Sequence, residues 1–281
     1  MQRRFGISTH LFHESRLTRE HLARIAAHGF DAVEVFATRS HFDYRSPEAV
    51  DQLGDWLAAC GLTLHSVHAP IVEAIRDGRW VGPHSTASGD EHRRRAAVAE
   101  AHAALAVAAR TPYRFLVVHL GIPTTETVPA GDNRADAARR SLGEIAEAAR
   151  SAGVEVAAEV IPNTLSSPAA LVRLIEEDLD GLDVGVCLDY GHAHLAGDVA
   201  EAVEIVSGHL CTTHVHDNRG RRDDHLVPFD GSIDWDAAMM STMKVGYDDL
   251  LMFEVAGGAD PLATLDAAAR ARERLARTLD F

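Results

Sequence analysis

The sequence predicts an α/β protein that closes into a (β/α)8 TIM barrel, one domain over residues 1–281. Three observations predict it. Short β-branched or apolar runs alternate with amphipathic helical patterns, which implies a parallel sheet. Eight such pairs can be counted, and 281 residues suit eight units in one domain. No Ser/Pro-rich linker, composition break or internal repeat interrupts the series. An open, doubly wound sheet would carry a Gly-rich turn after its first strand, and GISTHLF is not one.

The first strand is expected at Phe5–Ser8. A helix follows over Thr18–His28, with Leu22, Ile25 and Ala26 on one face, Thr18 and Glu20 at its start and Gly29 as its stop. The second strand, Ala32–Phe36, leads to a helix over Pro47–Cys60, opened by Ser46-Pro47-Glu48, striped by Val50, Leu53 and Leu57, and ended by Gly61. The third strand, Thr63–His68, is separated from the helix Asp90–Arg110 by the loop VEAIRDGRWVGPHS. The fourth unit is Phe115–His119 with Asp132–Ala152, stopped by Gly153. The fifth is Val154–Glu159 with Ser167–Glu177, opened by Ser167-Pro168. The sixth is Val184–Asp189 with Val199–Ser207, ended by Gly208. The seventh strand, Thr212–His216, precedes the longest connection, DNRGRRDDHLVPFDGSIDW, and the helix Asp234–Met243. The eighth is Leu250–Glu254 with Pro261–Leu279, opened by Asp260-Pro261.

Composition narrows the function. Lys and Arg number 27 against 42 Asp and Glu, a formal charge of −15. Such a surface repels phosphodiester backbones and anionic membranes, so nucleic-acid binding is not expected. No run of about 18 apolar residues spans a bilayer, and MQRRFGISTHLFHESR has no apolar stretch of signal-peptide length. A cytoplasmic location is expected. Cys60, Cys187 and Cys211 are too scattered for a disulfide framework or a Cys-type zinc site, and the last two are expected in the core. Lys244 is the only lysine, which argues against Schiff-base chemistry. Of the 17 histidines, His13, His21, His28, His92 and His102 sit in helical patterns and are expected to be surface composition.

Barrel function lies at the C-terminal ends of the strands. Those ends carry Glu34, His68, His119, Glu159, Asp189 with His192 close behind, His214 and Glu254. Each alone is a satisfied structural residue or a loop residue. Together they converge on one rim, where several carboxylates cannot all ionise without a cation. A divalent metal is expected, and oxygen and imidazole donors without thiolate suit Mn²⁺, Zn²⁺, Co²⁺ or Mg²⁺. Asp223 and His225, in the long seventh loop, can add ligands or contact substrate. Arg219, with Arg221 and Arg222, is either solvated or a contact to an oxygen-rich substrate. His65 and His216 are expected to point opposite to the site or beside it, His194 is not counted in it, and Asp217 is expected to hold an imidazole by its other nitrogen. Trp80, Phe12 and Phe42 are candidate walls of the pocket.

The motifs LDYGHAH and HVHDNRG…DDHLVPFDG, within a pattern running from GISTH to FEVAGG, resemble the xylose isomerase-like barrel superfamily of tagatose/psicose 3-epimerases, hydroxypyruvate isomerase, inosose dehydratase and endonuclease IV. The resemblance implies one divalent metal held by Glu159, Asp189, His214 and Glu254, with Glu159 and Glu254 as the acid/base pair and His68 and His192 against a small carbohydrate substrate. The implied reaction is isomerisation or epimerisation of a sugar or keto-polyol through an enediolate. A dehydratase of inosose type shares the proton abstraction. Endonuclease IV is the rival resemblance: its three-zinc site finds candidates in His68, His119, Glu159, Asp189, His192, His214, Asp223, His225 and Glu254. Against it, VIPNTLSS follows Glu159 in place of a Gly-rich stretch, PFDG replaces Gly-Glu-Gly, and the chain is acidic. A barrel that binds a sugar without turning it over is the third possibility, and a homo-oligomer is allowed.

Overall fold

The structure, a computed structural model, describes residues 4–76 and 79–279, without the side chains of 75–79. Eight parallel strands close into a barrel in chain order: β1 (Phe5–Ser8), β2 (Ala32–Phe36), β3 (Thr63–His68), β6 (Phe115–Val118), β7 (Glu155–Glu159), β8 (Val184–Asp189), β9 (Leu210–Val215) and β10 (Leu251–Phe253), which returns to β1. The expected fold class holds, with strand ends within two residues of expectation. One expected loop is different. VEAIRDGRWVGPHS contains an antiparallel hairpin, β4 (Val72–Arg76) and β5 (Arg79–Pro83), pairing Val72 with Pro83 and Ala74 with Val81. Its Asp77 and Gly78 lie outside the described residues.

The helices are α1 (Arg19–Ala27), α2 (Pro47–Cys60), α3 (Glu91–Leu105), α4 (Ala135–Ala152), α5 (Pro168–Asp178), α6 (Tyr190–Ala196), α7 (Val199–Val206), α8 (Trp235–Lys244) and α9 (Pro261–Leu279). Thr18, Ser46 and Ser167 cap their helices as expected, and Asp90, Asp198 and Asp234 do the same, each accepting from a backbone N–H of the first turn. Gly61 and Gly153 close α2 and α4 in the left-handed region, where a side chain is strained. Gly208 takes no left-handed φ, and Ser207 caps α7 instead. Helix α6 is absent from the periodicity because it is only seven residues long and its first turn, Tyr190–Ala193, is wholly buried. It forms because Asp189 caps it, accepting from His192 N at 2.7 Å.

Strand alternation separates two layers. Leu116, Val118, Val156 and Ala158 pack outward into the main core with Leu142 and Ile145. Phe115, Val117, Ala157 and Cys187 form a separate cluster on the other parity, the parity of Glu159 and Asp189, so it fills the barrel beneath them. Two register shifts disturb the alternation. One falls between Val33 and Glu34, leaving His65 without a partner, and one between Val186 and Cys187, leaving Cys211 without one.

Candidate metal centre

Glu159 ends β7, Asp189 ends β8, His214 is the fifth residue of β9 and Glu254 follows β10. Their donor atoms lie within 4.8 Å of one another, and all four residues are buried. His214 Nδ1 sits 3.2 Å from Glu159 Oε1, 3.3 Å from Glu254 Oε2 and 3.8 Å from Asp189 Oδ2. Two further donor groups share this mouth. His68 Nε2 and His119 Nε2 lie 3.1 and 3.0 Å from Glu159 Oε2. His192, His216, Asp223 and His225 form the third, with Asp223 2.9 Å from His192 Nε2 and 3.3 Å from His225 Nε2.

Backbone carbonyls orient three of these rings. His68 Nδ1 donates to Ala69 O at 2.9 Å, His192 Nδ1 to Val160 O at 3.0 Å and His225 Nδ1 to Glu254 O at 2.9 Å. A carbonyl only accepts, so Nδ1 carries the hydrogen and Nε2 faces the carboxylates. Burial drags these imidazoles toward neutrality, but the carboxylates outweigh it. Asp189 and Asp223 hold His192 well above its ordinary range, and Asp223 lifts His225 to about 10. Burial likewise works to raise Glu159, yet the His119 and His214 imidazoles hold it well below the usual carboxylate range.

The donor set fits a dication. Three carboxylates against one imidazole cannot be neutralised by a single proton on that ring, and protonated imidazoles are what carboxylates gather when only protons are available. Among the described residues, buried His119 Nδ1 and His216 Nδ1 have no hydrogen-bond partner. Carboxylate and imidazole donors suit the borderline and hard divalent ions.

A cavity of about 310 Å³ opens over this cluster, lined by Glu159, Glu254, His68, His119, His192, Asp223 and His225 from the expected set. Asp189 and His214 complete the donor cluster without lining the cavity. Arg219 is not brought to it: this exposed side chain donates to Asp230 O at 3.1 Å within its own loop. Arg222 pairs with Asp224 at 3.1 Å. Trp80 walls the cavity with Phe36 and Ile71, whereas Phe12 and Phe42 are core residues.

Several expectations are corrected. His216 belongs to the cluster, 2.9 Å from Asp189 Oδ1 and stacked on His225 with ring centroids 3.9 Å apart. The signal was available, since period-two alternation puts His216 on the side of His214. Gly191 makes room for it, because a Cβ there would stand 2.0 Å from His216 Cε1. His65 is inside the barrel but lower, 3.2 Å from Thr212 Oγ1. His194 contacts Ser232 Oγ at 2.9 Å, away from the cavity. Asp217 holds no imidazole. It accepts from the backbone N–H groups of Asn218, Phe229, Ser232 and Ile233 and from Trp235 Nε1, and so folds the long loop that carries Asp223 and His225. His13, expected as surface composition, instead lines the cavity, together with His10, Glu14 and Glu126, which the sequence reading did not single out.

Comparison with known proteins agrees with this architecture. The sequence model of a family described as xylose isomerase-like TIM barrel matches residues 22–278. An uncharacterised protein of Methanocaldococcus jannaschii is 28% identical over 258 residues, 89% of this chain and 83% of its own length. A D-tagatose 3-epimerase-like protein of known structure superposes with a TM-score of 0.79 at 27% identity, covering 99% of this chain and 97% of that one. The IolI protein with a binding zinc atom superposes at 0.77 and 17% identity, covering 98% and 99%. D-psicose and L-ribulose 3-epimerases share the fold at 19% identity.

Proposed function

The chain belongs to the xylose isomerase-like TIM barrel family, and from that premise we propose that it is a divalent-metal-dependent isomerase or epimerase of a sugar or related keto-polyol. The observation that carries this is the quartet Glu159, Asp189, His214 and Glu254, whose donor atoms converge within 4.8 Å at the floor of a cavity of small-molecule size. The sugar epimerases among the structural neighbours support the substrate class.

A dication held by the quartet would polarise the substrate's carbonyl and offset the negative charge that develops during proton transfer. The protein's own groups do the rest. Glu159 and Glu254 both reach the cavity, so one removes the proton beside the carbonyl and the other returns it, on the opposite face or at the adjacent carbon. They are not equivalent. Glu159 is gripped by His68, His119 and His214 at 3.0–3.2 Å, while the Glu254 carboxylate has one neighbour at 3.3 Å and one at 3.8 Å. Glu254 is the freer proton carrier. Trp80 and Phe36 give the cavity an aromatic wall, and among the described residues no Lys or Arg lines it, which suits an unphosphorylated polyol. A dehydratase uses the same abstraction and differs only in the fate of the β-hydroxyl.

A second reading, metal-dependent phosphodiester hydrolysis of endonuclease IV type, is favoured by one observation: the donors divide into three groups, two of which share Glu159. The charge of −15 and an acidic cavity lining that holds no Lys or Arg among the described residues oppose it. Elemental analysis of protein purified without chelator separates the two. About one equivalent of metal per chain, with deuterium incorporated from heavy water into a ketose, supports the isomerase; three equivalents with cleavage of abasic DNA supports the hydrolase and refutes it.

A further inference from the structure

One carboxylate of the cluster faces away from the cavity. Glu34 on β2 is fully buried and does not line it. Its Oε2 accepts from Ser66 Oγ at 2.8 Å and lies 3.1 Å from His214 Nε2, while Oε1 has no hydrogen-bond partner among the described residues. The contact crosses the barrel from β2 to β9. The register shift between Val33 and Glu34 pairs Glu34 with Ser66, and so places the hydroxyl that pins it. The other ring nitrogen, His214 Nδ1, is the one turned to Glu159, Glu254 and Asp189.

Building on the metal-centre assignment above, we propose that Glu34, pinned by Ser66, is a positioning residue that keeps the hydrogen of His214 on Nε2 and its lone pair on Nδ1, aimed at the dication. A neutral imidazole has one lone pair, on the nitrogen that lacks the hydrogen. Three carboxylates surround Nδ1 and each attracts a proton to it, which would leave the ring unable to ligate. Glu34 is the counterweight on the opposite edge. It can only accept, so Nε2 must donate, and its charge makes the ring a more basic ligand. An amide at this position accepts more weakly and can present its own N–H to Nε2, which selects the wrong tautomer.

The test is a Co²⁺ titration of the apoprotein by visible absorption and competition with a chelator, with thermal melting of the apoproteins alongside. Glu34→Gln is expected to weaken Co²⁺ binding roughly 10- to 100-fold and to shift the visible bands, while the apoprotein melts no lower than wild type because a buried charge has gone. Ser66→Ala is expected to weaken binding by roughly 2- to 10-fold, the value of one hydrogen bond. Binding by Glu34→Gln within about twofold of wild type, with unchanged bands, overturns the proposal. So does a lowered apoprotein melt with normal affinity in the folded fraction, which marks a purely structural role. If Glu34→Gln does not fold, unchanged affinity in Ser66→Ala overturns it. A wild type that binds no Co²⁺ refutes the metal centre itself, whereas one that binds Co²⁺ but turns over no ketose leaves the centre standing and refutes only the sugar assignment.

Discussion

Replacing Glu254 by Gln separates chemistry from fold. The backbone of Glu254 is locked on both sides: its N–H donates to Val215 O at 3.1 Å and its carbonyl accepts from His225 Nδ1 at 2.9 Å. Neither bond involves the side chain. Among the described residues the carboxylate's imidazole neighbours are His214 and His225, at 3.3 and 3.8 Å, and the amide has nearly the same volume. Stability should therefore move by less than about 1 kcal/mol. The site loses one of three ionised carboxylates around the dication, so metal affinity falls, but Glu159, Asp189 and His214 remain as donors. Activity should fall much further, because an amide neither takes up nor releases a proton at neutral pH. General acid–base contributions of about 10²–10⁴ translate to about 3–5 kcal/mol of transition-state stabilisation. The assay is ketose turnover and deuterium incorporation in heavy water, with both proteins reloaded and matched for metal content. Full activity of Glu254→Gln at equal metal content refutes the assigned proton carrier. Loss of the folded protein refutes the claim that its side chain is functional and not structural.

Protons and metal should compete for the same rings. Asp189, Asp223 and Glu254 raise the pKa values of His192, His214 and His225 in the metal-free protein, the last to about 10, so metal loading in a metal-buffered solution should decline from pH 8 toward 5, and constant loading down to about pH 5 contradicts imidazole ligation. Apoprotein stability should run the other way: the raised His225 pKa gives stabilisation that is complete below its ordinary 6.5 and lost as pH rises through about 10, visible as an alkaline fall in melting temperature that bound metal abolishes. His41, buried and donating from Nδ1 to Ser15 O, is pushed down from 6.5 to about 4 by burial; the unfolded chain takes up its proton first, so stability should drop by about 3 kcal/mol between pH 6.5 and 4, and His41→Asn should flatten that limb in urea titrations. Asp217→Ala strands the backbone N–H groups of Asn218, Phe229 and Ile233 and the Trp235 indole, while Ser232 N keeps Asn218 O, and should cost more than about 3 kcal/mol; a loss under about 1 kcal/mol in the urea midpoint shows that the loop does not depend on it.

Local patterns made most of the barrel legible. The ends of β1, β2, β3 and β8 and the whole of α9 fall where alternation, caps and prolines put them. The errors share a cause. Hairpin β4–β5 was hidden because charged residues, Gly82 and Pro83 interrupt the apolar residues of its strands, and α6 because a buried turn capped by Asp189 has no amphipathic period to read.

Which polar groups the chain carries to the barrel's mouth was written in the order of its residues, because each strand end is a local event and every parallel strand delivers its end to the same rim. Which groups meet there, and through which nitrogen, was decided only by closure of the barrel. His214 and Glu34 are 180 residues apart and touch at 3.1 Å. His65 and Ser66 are neighbours, yet one reaches Thr212 and the other Glu34 because a single bulge breaks the alternation between them. Loop geometry likewise separates Asp223, which enters the cluster, from Arg219, four residues earlier, which does not. Register, ring orientation and loop path depend on contacts between distant segments, and no window of sequence contains both partners of such a contact.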